Sequence, residues 1–200
     1  MSEAAVSDTI PETHPIRLIV NDDLRRSRLT VFFRLLLAIP HFIWIELWGI
    51  AACVALVIAW FAALLTGRVP DGLHAFLGGY LRYTAHVYGY VLLLANPFPS
   101  FSGRAGYPLD LSVEGAQPQG RLGILFRILL AIPALILAGV FRTVNEVVAF
   151  LSWFYALFTG RMNKGMRDLS AWLLRYEMQT YGYVFLLTSR YPSLAGAPSV

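Results

Sequence analysis

The stretch Arg34-Leu-Leu-Leu-Ala-Ile-Pro40 returns as Arg127-Ile-Leu-Leu-Ala-Ile-Pro133, a shift of 93 positions. The same shift carries Trp60-Phe-Ala-Ala-Leu-Leu-Thr-Gly-Arg68 onto Trp153-Phe-Tyr-Ala-Leu-Phe-Thr-Gly-Arg161. It also carries Leu81-Arg-Tyr83 onto Leu174-Arg-Tyr176, Tyr88-Gly-Tyr90 onto Tyr181-Gly-Tyr183, Pro15 onto Pro108 and Pro99 onto Pro192. Matches this numerous, with no gap between them, mean two tandem copies of one unit. The copies occupy 14–99 and 107–192, joined by a Ser- and Gly-rich linker at 100–106, a loop composition. A polar tail, 1–13, lacks the basic-then-apolar order of a signal peptide and is expected to be a disordered cytoplasmic segment. Residues 193–200 form a C-terminal tail.

The unit is dominated by one apolar run. In the first copy it spans Leu29 to Thr66, interrupted only by Arg34, His41 and Glu46. Over the whole chain, 57% of residues are hydrophobic and 14% charged, against about 25% charged in soluble domains. As one straight helix the run would be roughly 57 Å long, while the hydrocarbon core of a bilayer is about 30 Å thick. It must therefore bend, lie partly along the surface or cross twice. Arg17, Arg25, Arg26 and Arg28 precede the first run. Arg68, Arg82, Arg104 and Arg121 lie between the runs, and Arg161, Lys164, Arg167, Arg175 and Arg190 follow the second. Two crossings per run place all three groups on the cytoplasmic side. That reading predicts a turn near Glu46-Leu-Trp-Gly49 and near Arg142-Thr-Val-Asn-Glu146. A competing reading places Pro40 and Pro133 between a surface helix and a single span. Arg142 and Glu146 then pair at i, i+4 inside the membrane, where charged residues are costly and commonly functional.

Two shorter elements flank the run. Pro15-Ile-Arg-Leu-Ile-Val20 and Pro108-Leu-Asp-Leu-Ser-Val113 read as strands or extended segments starting after a proline. As strands they could pair, with a cross-strand ion pair between Arg17 and Asp110. After each run comes a helix, 72–95 and 165–188. His74, Gly78, Arg82, His86 and Gly89 share one face of the first. Arg167, Ala171, Arg175, Gln179 and Gly182 share the same face of the second. Such a helix suits the membrane interface with its polar stripe toward headgroups. Otherwise its small residues permit close packing, with Glu46 and Glu146 as partners for Arg82 and Arg175.

The expected fold class is thus an all-α membrane protein of two tandem repeats. Each repeat is a Pro-kinked transmembrane helical hairpin plus an amphipathic interfacial helix, opened by a short extended or strand segment. There is no Walker loop, no GxGxxG after a strand, no HExxH and no cysteine pair. Cys53 is the sole cysteine, and none of His14, His41, His74 and His86 is spaced to share a metal with another. No catalytic, cofactor or metal site is read, and no enzyme is expected. The polar residues singled out within or against the apolar segments are Glu46, Arg82, Arg142, Glu146 and Arg175. The arginines flank apolar runs, which suits anchoring to lipid rather than nucleic acid. Expected partners are membrane lipids and a homo-oligomer or larger membrane complex. The expected role is structural or accessory: surface binding, bilayer shaping or docking. The alternative is a small oligomeric transporter or channel using Glu46, Arg142 and Glu146.

The pattern RLLLAIPH at 34–41, a long apolar run, LTGR or FTGR, LRY among aromatics and a closing Arg190-Tyr-Pro192 resembles the bacterial family called domain of unknown function 4389, in two copies. The first copy departs at Pro97-Phe-Pro99 and at Arg68-Val-Pro70, where such proteins often carry Arg-Tyr-Pro. The second has Arg161-Met-Asn163 there. The resemblance implies a protein of the bacterial inner membrane; the charge placement makes it multi-pass with both termini cytoplasmic. The resemblance implies no activity and no catalytic residue.

Overall fold

The computed structural model describes residues 14–195; the expected N-terminal tail, residues 1–13, lies outside them, as do 196–200. The element order is β1 (Ile16–Val20), α1 (Arg28–Thr66), α2 (Asp71–Val91), β2 (Leu109–Val113), α3 (Arg121–Leu125), α4 (Arg127–Thr159) and α5 (Lys164–Val184). The first apolar run is one helix of 39 residues, and the second is a helix of 33 residues preceded by a five-residue helical turn. The chain breaks helix at Phe126, close to Gly123, where the first copy has Thr30 and stays helical. Glycine lowers helix stability by about 1 kcal/mol relative to alanine.

The expected hairpins are therefore corrected. Helix α1 runs through Glu46–Gly49, and α4 runs through Arg142–Glu146, without a turn. Pro40 and Pro133 lie inside these helices. The polar residues of the second run do not mark a loop because Arg142, Asn145 and Glu146 are spaced i, i+3, i+4. They fall on one face, where Arg142 and Asn145 meet neighbouring helices and Glu146 pairs with Arg142, so the backbone need not leave the helix. Both long helices end where the Thr-Gly-Arg signal places the end. Gly67 and Gly160 adopt left-handed φ of 78° and 70°, and their N–H groups bond Ala63 O and Ala156 O, the αL cap that glycine adopts without a Cβ clash.

Each long helix buries only a narrow stripe. On α1 this includes Arg34, Ala38, Ala52, Ala55, Ala59 and Ala63; on α4 it includes Arg127, Ala131, Ala134, Ala138, Asn145 and Ala156. Small side chains let α2 lie close along α1 and α5 along α4. The rest of each long helix is apolar and exposed, including Leu35, Ile50, Val54, Phe61, Ile128 and Phe158.

The strands pair antiparallel, with Ile16 opposite Val113 and Leu18 opposite Leu111. This register sets Arg17 opposite Ser112 and Asp110 opposite Ile19, so the expected Arg17–Asp110 pair does not form. The pairing is also an exchange. Strand β1, from the first copy, packs on α5 of the second, and β2 packs on α2 of the first. Contacts repeat in reciprocal pairs under the 93-residue shift. Arg26 N–H bonds Gly160 O, and Gln119 N–H bonds Gly67 O. Trp153 donates to Val31 O at 2.8 Å, and Trp60 to Ile124 O at 3.1 Å. These pairs define a pseudo-twofold axis through the Leu18–Leu111 position, and they run α1 and α4 antiparallel. The layers along the axis are the ribbon, then α2 and α5, then α1 and α4.

The polar stripes of α2 and α5 face the ribbon, which corrects the expected headgroup-facing disposition. His74, Gly78, His86, Gly89, Arg167, Arg175, Gln179 and Gly182 are buried. The glycines are there for backbone proximity. A Cβ on Gly89 would lie 2.8 Å from Leu109 Cδ1, and one on Gly182 would lie 1.9 Å from Ile16 Cδ1. After each helix the chain reverses through Leu93 and Leu186, both non-glycine residues at φ near +60°. Their side chains are fully buried. Their carbonyls are held by equivalent residues, Leu93 O by Arg26 at 2.6 Å and Leu186 O by Gln119 at 2.7 Å.

Candidate functional site: a charged cavity among four helices

Two equivalent arginines first show what buried charge does structurally here. Arg34 donates to Tyr90 O at 2.6 Å and Ala95 O at 3.2 Å, with its guanidinium 4.4 Å from the centre of the Tyr90 ring. Arg127 donates to Thr188 O at 3.1 Å, bonds Gln119 Oε1 and stacks 4.2 Å from the Tyr183 ring. Ala95 and Thr188 are equivalent under the 93-residue shift, so both arginines hold the same loop carbonyl just after α2 or α5, and Arg34 also reaches Tyr90 O. The pair explains Arg34 and Arg127 as parts of the fold.

Arg82 and Arg175 are likewise structural. Arg82 donates to Leu111 O at 2.9 Å and lies 3.5 Å from Asp110. Arg175 donates to Ala195 O at 2.8 Å and Ser193 O at 3.3 Å. Neither meets Glu46 or Glu146, so that expected pairing is corrected: the β-ribbon and the C-terminal segment occupy the face where those glutamates would have to reach. His86 completes the cluster, donating Nε2–H to Asp110 at 3.0 Å. Burial holds the His86 imidazole below its usual range, against the pull of Asp110. Burial alone would raise the Asp110 carboxyl. Bonds from His86, Gly106 N–H and Leu111 N–H outweigh it and hold the carboxyl below its ordinary value.

The remaining three of the five residues come together. Glu46, Arg142 and Glu146 line one cavity of about 380 Å³ with Phe42, Tyr88, Val91, Leu92, Asn145 and Glu177. It lies at the middles of α1 and α4, beside the last turn of α2 and the centre of α5. Arg142 donates to the Tyr88 hydroxyl at 2.6 Å. It lies 3.5 Å from Glu146 and 3.9 Å from Glu177. Asn145 is locked to Ser170, donating to its carbonyl at 3.3 Å and accepting from its hydroxyl at 2.5 Å.

Glu177 is the residue that the sequence reading missed. Its side chain is 4% exposed, and its Oε1 has no hydrogen-bond partner. Burial pushes its carboxyl up, and the nearby Arg142 guanidinium opposes that without reversing it. The signal was available: Glu177 is the single acidic residue on the face of α5 turned away from the Arg175 stripe. An i, i+4 Arg–Glu pair on a wet helix is worth a few tenths of a kcal/mol and needs no function. A buried carboxylate beside one, with an oxygen that accepts no hydrogen bond, is different, because an unsatisfied buried acceptor costs about 1–3 kcal/mol. Among the described residues no three His, Cys, Asp or Glu side chains converge as a metal site.

No curated protein and no solved structure matches the chain. A family model does match it twice, over 28–103 and 121–195, and these two regions are the two copies of the repeat. The chain belongs to the family described as Domain of unknown function (DUF4389).

Proposed function

We propose that this chain is a non-enzymatic membrane protein of structural type, a wedge set into one leaflet of the bacterial inner membrane. The observation that carries this reading is the exposed apolar surface of two continuous helices long and apolar enough to cross a bilayer. At 39 and 33 residues they measure about 58 and 50 Å. Fitting them across about 30 Å of hydrocarbon would require tilts near 55–60°, outside the usual range of about 0–40°. Lying flat, they present an apolar face on the order of 1,000 Å², from two cylinders about 10 Å wide, beyond the few hundred Å² common on soluble monomers.

The pseudo-twofold supports the same disposition. With the axis along the bilayer normal, both copies turn their long helices into the lipid and their ribbon strands toward water. Equivalent arginines then face the cytoplasm in both copies, as the positive-inside rule asks. Apolar volume confined to one leaflet spreads that leaflet and curves the bilayer.

Cysteine accessibility tests the reading. On a Cys53→Ser background, Val144→Cys in inverted and right-side-out vesicles stays unlabelled by impermeant reagents from the periplasmic side, while Arg17→Cys labels from the cytoplasmic side. Periplasmic labelling at 144 sinks the wedge and restores a crossing. Purified protein added to liposomes is expected to float with them and narrow their diameter; flotation with unchanged shape would remove the bilayer-shaping role.

A further inference from the structure

We infer that the cavity among Glu46, Glu146, Glu177 and Arg142 is a binding site for an alkylammonium group, delivered by an amine-bearing lipid headgroup. This rests on the membrane reading for the source of the ligand, and on the cavity alone for its chemistry.

Charge carries the first step. Three carboxylates and one guanidinium line the space. The guanidinium is already shared among Glu146, Glu177 and the Tyr88 hydroxyl. Phe42, Val91 and Leu92 form an apolar wall beside the buried Glu177 carboxyl, while Glu146 is exposed. A surplus of negative charge against a buried carboxylate calls for a cation. Glu177 supplies the second step: it lines the cavity, and its buried Oε1 accepts no hydrogen bond, with the Arg142 guanidinium 3.9 Å away.

The third step identifies the cation. The carboxylates do not converge closely enough to chelate a metal ion. An ammonium asks less of the lining than a metal ion, since one carboxylate at hydrogen-bond distance holds it while its alkyl stalk lies on the apolar wall. An ammonium group has three N–H donors and no acceptor. The cavity, at about 380 Å³, is at the small end of ligand pockets, sized for a headgroup and not for a whole lipid. Its position between two lipid-facing helices gives a lipid a lateral entrance. A phosphate following the ammonium would find Arg142, the one cation present. Phosphatidylethanolamine has that order of charges, and phosphatidylglycerol lacks the ammonium.

Native mass spectrometry of the full chain in detergent tests this without needing a bilayer. Phosphatidylethanolamine adducts should outnumber phosphatidylglycerol adducts of the same chain length by about tenfold, the weight of one charge-assisted hydrogen bond. Glu177→Gln should abolish that preference, while Cys53→Ser retains it. Circular dichroism confirms that both variants keep the wild-type helix content. Equal adducts with the two lipids, or an undiminished preference in Glu177→Gln, would overturn the site. Competition with free ethanolamine separates sources: Glu177-dependent displacement at equal concentration assigns the site to soluble amines and overturns the lipid source. Failure to float on liposomes would count against the wedge alone, because the detergent measurement is independent of it.

Discussion

The two copies differ most where the molecule is most symmetric. In the second copy, Arg142, Asn145, Glu146 and Glu177 meet around an open space. The 93-residue shift sets Gly49, Ala52, Cys53 and Thr84 at those positions in the first copy. There the space is filled: the Tyr80 hydroxyl lies 3.0 Å from where a Gly49 Cβ would be, and the Tyr80 ring packs against Trp48 and Phe185. The position of Tyr80 is held by Leu173 in the second copy. One scaffold thus carries an aromatic plug on one side and a charged cavity on the other. The fold does not need the charges, because it forms the same four-helix junction without them. Arg34 and Arg127 make the opposite case: both copies retain them, and both use them on one equivalent carbonyl, Ala95 O in the first and Thr188 O in the second.

The largest expected effect tests that second case. Arg34→Met and Arg127→Met should each cost about 3 kcal/mol or more, since each leaves buried carbonyls without a charged donor. Denaturant unfolding in detergent, followed by tryptophan fluorescence, measures this. A cost below about 1 kcal/mol for either would break the equivalence of the two arginines.

Exchanging residues across the axis comes next. Thr84→Glu places a carboxylate in the closed side, where Thr84 is buried, and should cost about 2–3 kcal/mol. The reciprocal Glu177→Thr should shift stability by less than about 1 kcal/mol, because Glu177 is already poorly partnered. Similar costs in the two directions would mean that the charges are structural after all.

The glycine contacts predict a smaller asymmetry. Gly182→Ala should destabilise by about 2 kcal/mol and Gly89→Ala by about 1 kcal/mol. Ile16 stands closer to the first than Leu109 does to the second. Equal losses would show that β1 yields as readily as β2.

The smallest effect is pH-dependent. His86 is held below its usual value, so the unfolded chain binds the proton more readily and stability falls as pH drops below about 6.5. The groups facing it are Asp110, Arg82 and the ring of Tyr107. His86→Gln, the residue at the equivalent position 179, should reduce the loss of stability between pH 7 and pH 5. Burial also lowers His14, which keeps part of the slope. Asp110 titrates below this window. An unchanged slope in the variant would remove His86 as its source.

Much of this was legible in the residues. The repeat, both αL caps, the strands and the helices after the runs follow from spacing and from the chemistry of Gly, Pro and alternating apolar residues. The continuity of the long helices was not. Their length set against a bilayer's thickness, and the polar residues at their middles, favoured a turn that the backbone does not make. The polar stripe of α2 and α5 was read as facing headgroups because a stripe has no address in sequence. Its occupant, a ribbon made from strands about 90 residues apart, is a tertiary contact. Of the five polar residues singled out, Glu46, Arg142 and Glu146 share the cavity, while Arg82 and Arg175 are tied to backbone carbonyls. Glu177 was overlooked although it is the single acidic residue on its face of α5, because one residue sets no spacing.

The exchanged strands have a further consequence. Neither copy covers its own α2 or α5 face; each borrows the strand of the other. The peptide between the copies therefore holds together what the interface would hold by itself. Cutting the chain within 103–106 should leave two halves that stay together through purification, whereas either half expressed alone lacks a covering strand and should not remain a monomer. A chain carrying one copy would be a symmetric homodimer, and in such a dimer any cavity charge would appear twice. Fusion of the copies is what permits one side to be plugged while the other stays open.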